Sequence, residues 1–359
     1  MRKAGLWGLA VAGMAVASVA SFGGSKAQAA DADSCAAYGK MKFLCGLNGP
    51  EDLMPIPGTK WIISGGMSGE RTSGHFYLID GKAKTFTELF PGDNPHLMLN
   101  KKMFGNCPGP LDVTKFSAHG LSLRPEGAAG HYKMYITSHG AREAVEAFEL
   151  DATGAKPMLT WVGCVTFPMP QHTFSNSVAI LPDGGFVVTK FMDPSEKNAF
   201  AGIMQGKVTG VVYEWHPGDA AMKEVPGTAT SGPNGIEISK DGKTMYLAVM
   251  GKTEVVKYSL GDKPMAGASA KLDIRVDNVH WGPNGKLLAA GGIAAAPGPG
   301  GAPGWKVYEI DPDTMAAREI AMMDGKGPMP SISVGTIADG DLWIGAPRGD
   351  HVGYMPISE

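Results

Sequence analysis

The sequence is poor in charge, in long apolar runs and in helical periodicity, and several local catalytic motifs are missing. Charged residues are 19% of the 359 and the formal net charge is −3, so no basic field exists to attract nucleic acid or an anionic membrane. Beyond the first twenty residues no stretch approaches the roughly 18 apolar residues of a transmembrane helix. G-x-S-x-G, H-E-x-x-H and Walker A patterns are absent, which leaves serine-hydrolase, zincin and nucleotide readings without local support. C-x-x-C is absent too, and the wide spacing of the four cysteines disfavours zinc.

The first residues, MRKAGLWGLAVAGMAVASVASFGGSKAQAA, carry Arg2 and Lys3, an apolar stretch from Leu6 to Ala20 and the small-residue site Ala27-Gln28-Ala29. This is the pattern of a secretory signal peptide over 1–29, and a mature chain of 30–359 is expected to be soluble and secreted or periplasmic. Cleavage removes Arg2, Lys3 and Lys26 and takes the formal charge to −6. In an exported chain, Cys35, Cys45, Cys107 and Cys164 are expected to form disulfides. Three connectivities are open, of which the local pairing Cys35–Cys45 with Cys107–Cys164 is preferred.

Turn residues are plentiful, with 51 Gly and 26 Pro, and short alternating apolar runs lie between them. In SGPNGIEISKDGKTMYLAVM, from 231, Ile236 and Ile238 alternate, Asp241-Gly242 turns the chain, and Met245, Leu247 and Val249 alternate again. Five more hairpins share this design: EDLMPIPGTKWIISGG at 51, HGLSLRPEGAAGHYKMYITS at 119, NSVAILPDGGFVVTKF at 176, DNVHWGPNGKLLAAGG at 277 and SVGTIADGDLWIGA at 333. Six units recurring about every 56 residues, with further strands such as GHFYLID, VEAFELD, GVVYEWH, EVVKYSL and WKVYEID between them, predict an all-β, six-bladed β-propeller in a single domain over 30–359.

Equivalent positions of successive blades face a common axis, so the hairpin heads are expected to converge: Glu51 with Asp52, His119, Asn176, Asn234, and Asp277 with Asn278. Carboxylates and amide oxygens are hard donors, and Ca²⁺ takes about six to eight of them. Buried Glu, Asp and Asn are costly unless paired or metal-bound. The carboxylate and amide heads therefore read as calcium ligands; the alternative is a ring of strand-capping polar residues around water.

At these residues the chain resembles the paraoxonase/arylesterase family, and more loosely the gluconolactonase and senescence-marker-protein propellers. The landmarks run in order from 48 to the C-terminus: NGPEDLMPIP, FSAHGLSL, YITSHGA, FSNSVAILPDG, PNGIEISKDGKTMYLA, VDNVHWGPNG and LWIGAPRGDHVGYMPI. The resemblance implies a catalytic calcium held by Glu51, Asn176, Asn234, Asp277 and Asn278, and a histidine dyad at His119 and His139. It implies a second, structural calcium at Asp52 and the carbonyl of Leu121, although Ser177 stands where the family has a further carboxylate. Animal members close their ring through a cysteine where this chain has Met355, so closure here falls to strand pairing. His351 lies where the family often has a histidine lining the site.

The function these residues imply is calcium-dependent hydrolysis of a small lactone or aryl ester, with His119 as base and His139 as its orienting or proton-shuttling partner. The rival reading is a calcium-stabilised propeller that binds a ligand without chemistry, since related strictosidine-synthase-like propellers show that fold alone does not license hydrolysis. His75, His96, His131, His172, His216 and His280 are expected to be structural. Phe167, Phe174, Phe191, Trp281 and Trp305 are candidates for an apolar wall, and the Gly/Ala/Pro loop 293–304 is a surface connector that could border the pocket.

Overall fold

The computed structural model describes residues 35–67, 74–261, 263–294 and 304–357. The expected signal peptide, 1–29, and most of the loop 293–304 lie outside the described residues. Each expected hairpin forms the first two strands of an antiparallel sheet, because the alternating side chains bury one face and the Gly-bearing turns reverse the chain. Blade 1 contains Pro50–Pro55, Trp61–Gly66, His75–Asp80 and Thr85–Phe90. Blades 2 to 6 begin with Ser117–Pro125, Phe174–Ile180, Pro233–Ile238, Ile274–Trp281 and Val334–Ala338. Blade 2 carries a short fifth strand, His96–Leu97, parallel to its outer strand Met158–Thr166.

The six first strands pack one against the next until blade 6 returns to blade 1, which makes the circular six-bladed propeller. Each seam between blades has its own apolar core. Phe76, Phe90, Phe116 and Phe148 cluster between blades 1 and 2, and Leu53, Ile62, Val334 and Trp343 join blade 6 to blade 1. Closure needs one strand from the other end of the chain: Lys42–Cys45 pairs antiparallel with His351–Pro356 as the outermost strand of blade 6. The disulfide Cys35–Cys45 fastens that strand, and Cys107–Cys164 ties the entry of blade 2 to its outer strand. No helix among the described residues is long and apolar enough to cross a membrane.

One irregularity repeats. In blades 1 to 5 the pairing of the first two strands slips at the head: between Pro50 and Asp52, Ala118 and Leu121, Ser175 and Val178, Pro233 and Ile236, and Val276 and Val279. Blade 6 pairs without a slip from Val334 to Ala338. A bulge bends the strand and re-aims the side chain it carries. The five bulged heads are those that bear Glu51, His119, Asn176, Asn234, Asp277 and Asn278.

Candidate active site at the head of the channel

The bulges explain the Asn-Gly and His-Gly pairs. A Cβ on Gly235 would lie 2.4 Å from the backbone N of Val279, and one on Gly120 would lie 2.5 Å from the carbonyl of Asn176. Only glycine lets each bulge nest against the next blade this closely. Buried threonines then stitch neighbours together. Thr189 Oγ1 receives the N–H of Ser177 at 2.9 Å and donates to the carbonyl of Asn234 at 2.9 Å; Thr137 likewise links Gly120 N–H to the carbonyl of Asn176.

These contacts bring the heads together. His119 Nε2 lies 3.5 Å from Glu51 Oε1 and 3.3 Å from Asn176 Nδ2. Asn278 Nδ2 donates to Glu51 Oε1 at 3.0 Å. Ser177 Oγ bridges Asn176 Oδ1 at 2.8 Å and Asn278 Oδ1 at 3.0 Å, so it braces two amides where the sequence comparison led to a carboxylate. Glu51, His119, Asn176, Asn234 and Asp277 all line one cavity of about 980 Å³; Asn278 stands behind Glu51 and does not.

The cluster is electrostatically incomplete. Burial, and then the neighbouring Glu51 carboxylate, push the Asp277 carboxyl up to about 8. Glu51 Oε2 and both polar atoms of the Asn234 amide are buried without a hydrogen-bond partner among the described residues. Burial, the largest single influence, lowers the pKa of His119, but the charge and hydrogen bond of Glu51 with the charges of Asp277 and Glu143 together outweigh it and the net shift is upward. No three or more His, Cys, Asp or Glu side chains form a metal-holding group among the described residues. The converging donors are instead two carboxylates and three amides, an all-oxygen set whose orphaned atoms fit a hard divalent cation.

Behind His119 runs a relay. His119 Nδ1 lies 2.9 Å from His139 Nε2, and His139 Nδ1 lies 2.8 Å from Glu143 Oε2. The other oxygen of Glu143 accepts from the N–H and the hydroxyl of Ser175, each at 2.6 Å. Phe174 stacks on His139 with ring centroids 4.4 Å apart and an interplanar angle of 7°. Glu143 was missed in the sequence; its only local signal was its place four residues after His139.

Of the expected wall, Phe174 and Phe191 line the cavity, together with Met67, Met192, Phe200, Met250 and Arg348. Phe167 is instead packed in the core between blades 2 and 3, Trp305 in that between blades 5 and 6, and Trp281 lines a separate cavity of about 640 Å³ with Arg124 and Glu237. His351 is buried on the strand that receives the closing strand, against Phe43, with Nδ1 2.8 Å from Asp350 Oδ1, and does not line the site. His280 differs from the surface and core histidines it was grouped with: it lies in the channel, Nε2 2.7 Å from Asp52 Oδ1 and Nδ1 3.1 Å from Glu237 Oε1. Burial would lower its pKa, yet the Asp52 charge, with Glu237, carries it up to about 10.

Residues 66–344 match the family model described as the SMP-30/Gluconolactonase/LRE-like region. No curated protein matches the sequence. Among solved structures, a protein provisionally assigned as a gluconolactonase is similar at 15% identity and a TM-score of 0.53, over 90% of this chain and 94% of that one. A luciferin-regenerating enzyme is similar at 15% identity and 0.51, over 87% and 92%. The PQQ-bound aldose sugar dehydrogenase of Streptomyces coelicolor is similar at 15% identity and 0.50, over 89% and 98%. At such identities the likeness is one of fold, and the fold alone does not choose the chemistry.

Proposed function

We propose that this chain, which belongs to the SMP-30/gluconolactonase/LRE-like family, is an exported calcium-dependent hydrolase of lactones or aryl esters. The observation that carries the reading is one arrangement: buried Glu51 and half-buried Asp277, neither with a Lys or Arg partner among the described residues, and the orphaned Asn234 amide, beside a His119–His139–Glu143 relay, at the head of an open cavity. Glu51, Asn176, Asn234 and Asp277 would hold the ion, and Asn278 would complete the set through a turn of its amide. Bound there, calcium supplies polarisation of the substrate carbonyl and stabilisation of the negative charge that develops on its oxygen.

The protein's own groups do the proton work. Asn176 Nδ2 faces His119 Nε2, so Nε2 carries the lone pair on the cavity side and Nδ1 donates towards His139. Water attacking the carbonyl carbon gives its proton to Nε2, and the relay can pass the Nδ1 proton to His139, whose own Nδ1–H is held by Glu143. The acyl–oxygen bond then breaks, and the proton taken up at His119 Nε2 passes to the leaving alkoxide or phenoxide, which returns the histidine to its neutral form. The apolar lining of Phe174, Phe191 and Met250 suits the hydrocarbon part of such a substrate.

A panel of lactones and aryl esters, assayed with calcium and with a chelator, tests this reading. Hydrolysis that disappears with the chelator and returns with calcium is expected. Tight calcium binding with no turnover of any member would favour the ligand-binding propeller instead.

A further inference from the structure

The cavity of about 640 Å³ lies at the end of the ring opposite the head and shares no lining residue with the candidate active site. It is built from the far ends of four first strands: Arg124 stands just before the end of Ser117–Pro125, and Ile180, Ile238 and Trp281 are the last residues of theirs. Its size suits a small molecule, and Leu123, Ile180, Ile238 and Trp281 give it apolar walls. The indole is fixed in place. Its Nε1–H donates to the carbonyl of Ile238 at 3.0 Å, and the ring meets Tyr246 edge to face, with centroids 5.5 Å apart and an interplanar angle of 89°.

Two cations share this wall, Arg124 and Lys240, and neither has a carboxylate partner among the described residues. Arg124 reaches from blade 2 to blades 3 and 4, donating from Nη1 to the carbonyl of Ile180 at 3.3 Å and from Nη2 to that of Lys240 at 3.0 Å. Those neutral acceptors orient the guanidinium without neutralising it, and its remaining N–H groups are free to bind a ligand. Lys240 is exposed on the rim. Glu237, the one carboxylate among the described residues lining the cavity, is already engaged: Oε1 lies 3.1 Å from His280 Nδ1, and Oε2 accepts the N–H of Ile238 at 3.3 Å.

We propose that this far mouth is a second small-molecule site, which takes a planar apolar monocarboxylate, its body against the apolar walls and its carboxylate on Arg124 and Lys240. An oriented guanidinium matches the two oxygens of a carboxylate. A phosphate dianion fits less well, because apolar walls offer it nothing and Glu237 repels its second charge. No residue assigned to calcium or to proton transfer takes part, so the proposal stands or falls apart from the proposed function.

Calorimetric titration of the mature protein with naphthoate, with its neutral amide and with inorganic phosphate tests it. Chelator is present throughout, so that no ion at the head can hold the carboxylate. Naphthoate is expected to bind about 10-fold or more tighter than the amide and than phosphate. Arg124→Gln and Lys240→Glu are each expected to weaken naphthoate about 10-fold or more, the second by giving Arg124 a carboxylate of its own, while calcium binding stays at the wild-type level. No binding of naphthoate at millimolar concentration, equal binding of acid and amide, tighter binding of phosphate, or naphthoate binding that both variants leave unchanged would each overturn the proposal. Lys240 is exposed, so Lys240→Glu decides alone should Arg124→Gln fail to fold.

Discussion

At the scale of single residues the site divides into groups that hold charge and groups that move a proton, and substitutions should separate them. Asp277→Ala removes a charged donor, so calcium binding, melting temperature and turnover should fall together in calorimetry, thermal unfolding and assay. His119→Gln leaves every proposed donor in place; calcium affinity should hold while turnover drops by about 10²–10⁴. Wild-type turnover in that variant would show that another group activates water. Glu143→Gln keeps the shape of the relay and removes its anchoring charge, so turnover should fall and its pH profile should move towards acid while calcium affinity is unchanged.

The raised Asp277 pKa gives a further test at this scale. With no cation bound, its folded value of about 8 lies above the ordinary 3.8, so the folded state holds a proton that the unfolded chain releases. Its contribution to the stability of chelator-treated protein is full below about pH 3.8 and is lost as pH rises through about 8. Calcium must displace that same proton, so affinity should strengthen with pH over this window in a series of titrations. A flat affinity from pH 5 to 9 would contradict the assignment. The hairpin heads were legible in the sequence because each precedes an alternating strand. Glu143, Ser177 and His280 were not, since their roles depend on partners 32, 101 and 228 residues away.

At the scale of elements, period-two alternation revealed both strands of every hairpin, and the third strands were equally visible as GHFYLID or WKVYEID. The bulges were hidden, because a bulge is a property of pairing register and leaves no mark in one strand alone. Yet the bulges turn capping residues into a converging set. Gly235→Ala tests the dependence: its Cβ would meet backbone atoms of blade 5 beside Asp277 and Asn278, which cannot yield as a flexible side chain would. A loss of about 1–3 kcal/mol in denaturant unfolding is expected, with weaker calcium binding although no donor has changed. Unaltered calcium affinity would mean that the nesting of blades 4 and 5 does not set the geometry of Asp277.

At the scale of the whole molecule, the sixfold repeat gave away the ring, but not the strand that shuts it. KFLC is too short to display alternation and has no hairpin partner in its neighbourhood; its partner lies at the other terminus. Closure therefore combines strand pairing with the burial of Met41 and Phe43 against blades 5 and 6, and Cys35–Cys45 holds that strand by a loop of only ten residues. A short loop restricts the unfolded chain modestly, by roughly 3 kcal/mol at most, whereas removing the strand exposes the edge of blade 6 and unseats two core side chains. Replacing both Cys35 and Cys45 by Ser should thus lower the melting temperature by a few degrees and leave turnover and calcium binding near wild type. Starting the chain at Gly46 should cost far more and should broaden the transition, because blades 5 and 6 lose their common clasp while the next strand begins at Pro50, only four residues on. If the truncated chain melts with the double serine variant, the disulfide and not the strand pairing closes the ring. Calcium should rescue the serine variant more fully than the truncation, since an ion tying blades 1, 3, 4 and 5 supports the inner wall of the ring but cannot replace the missing outer strand.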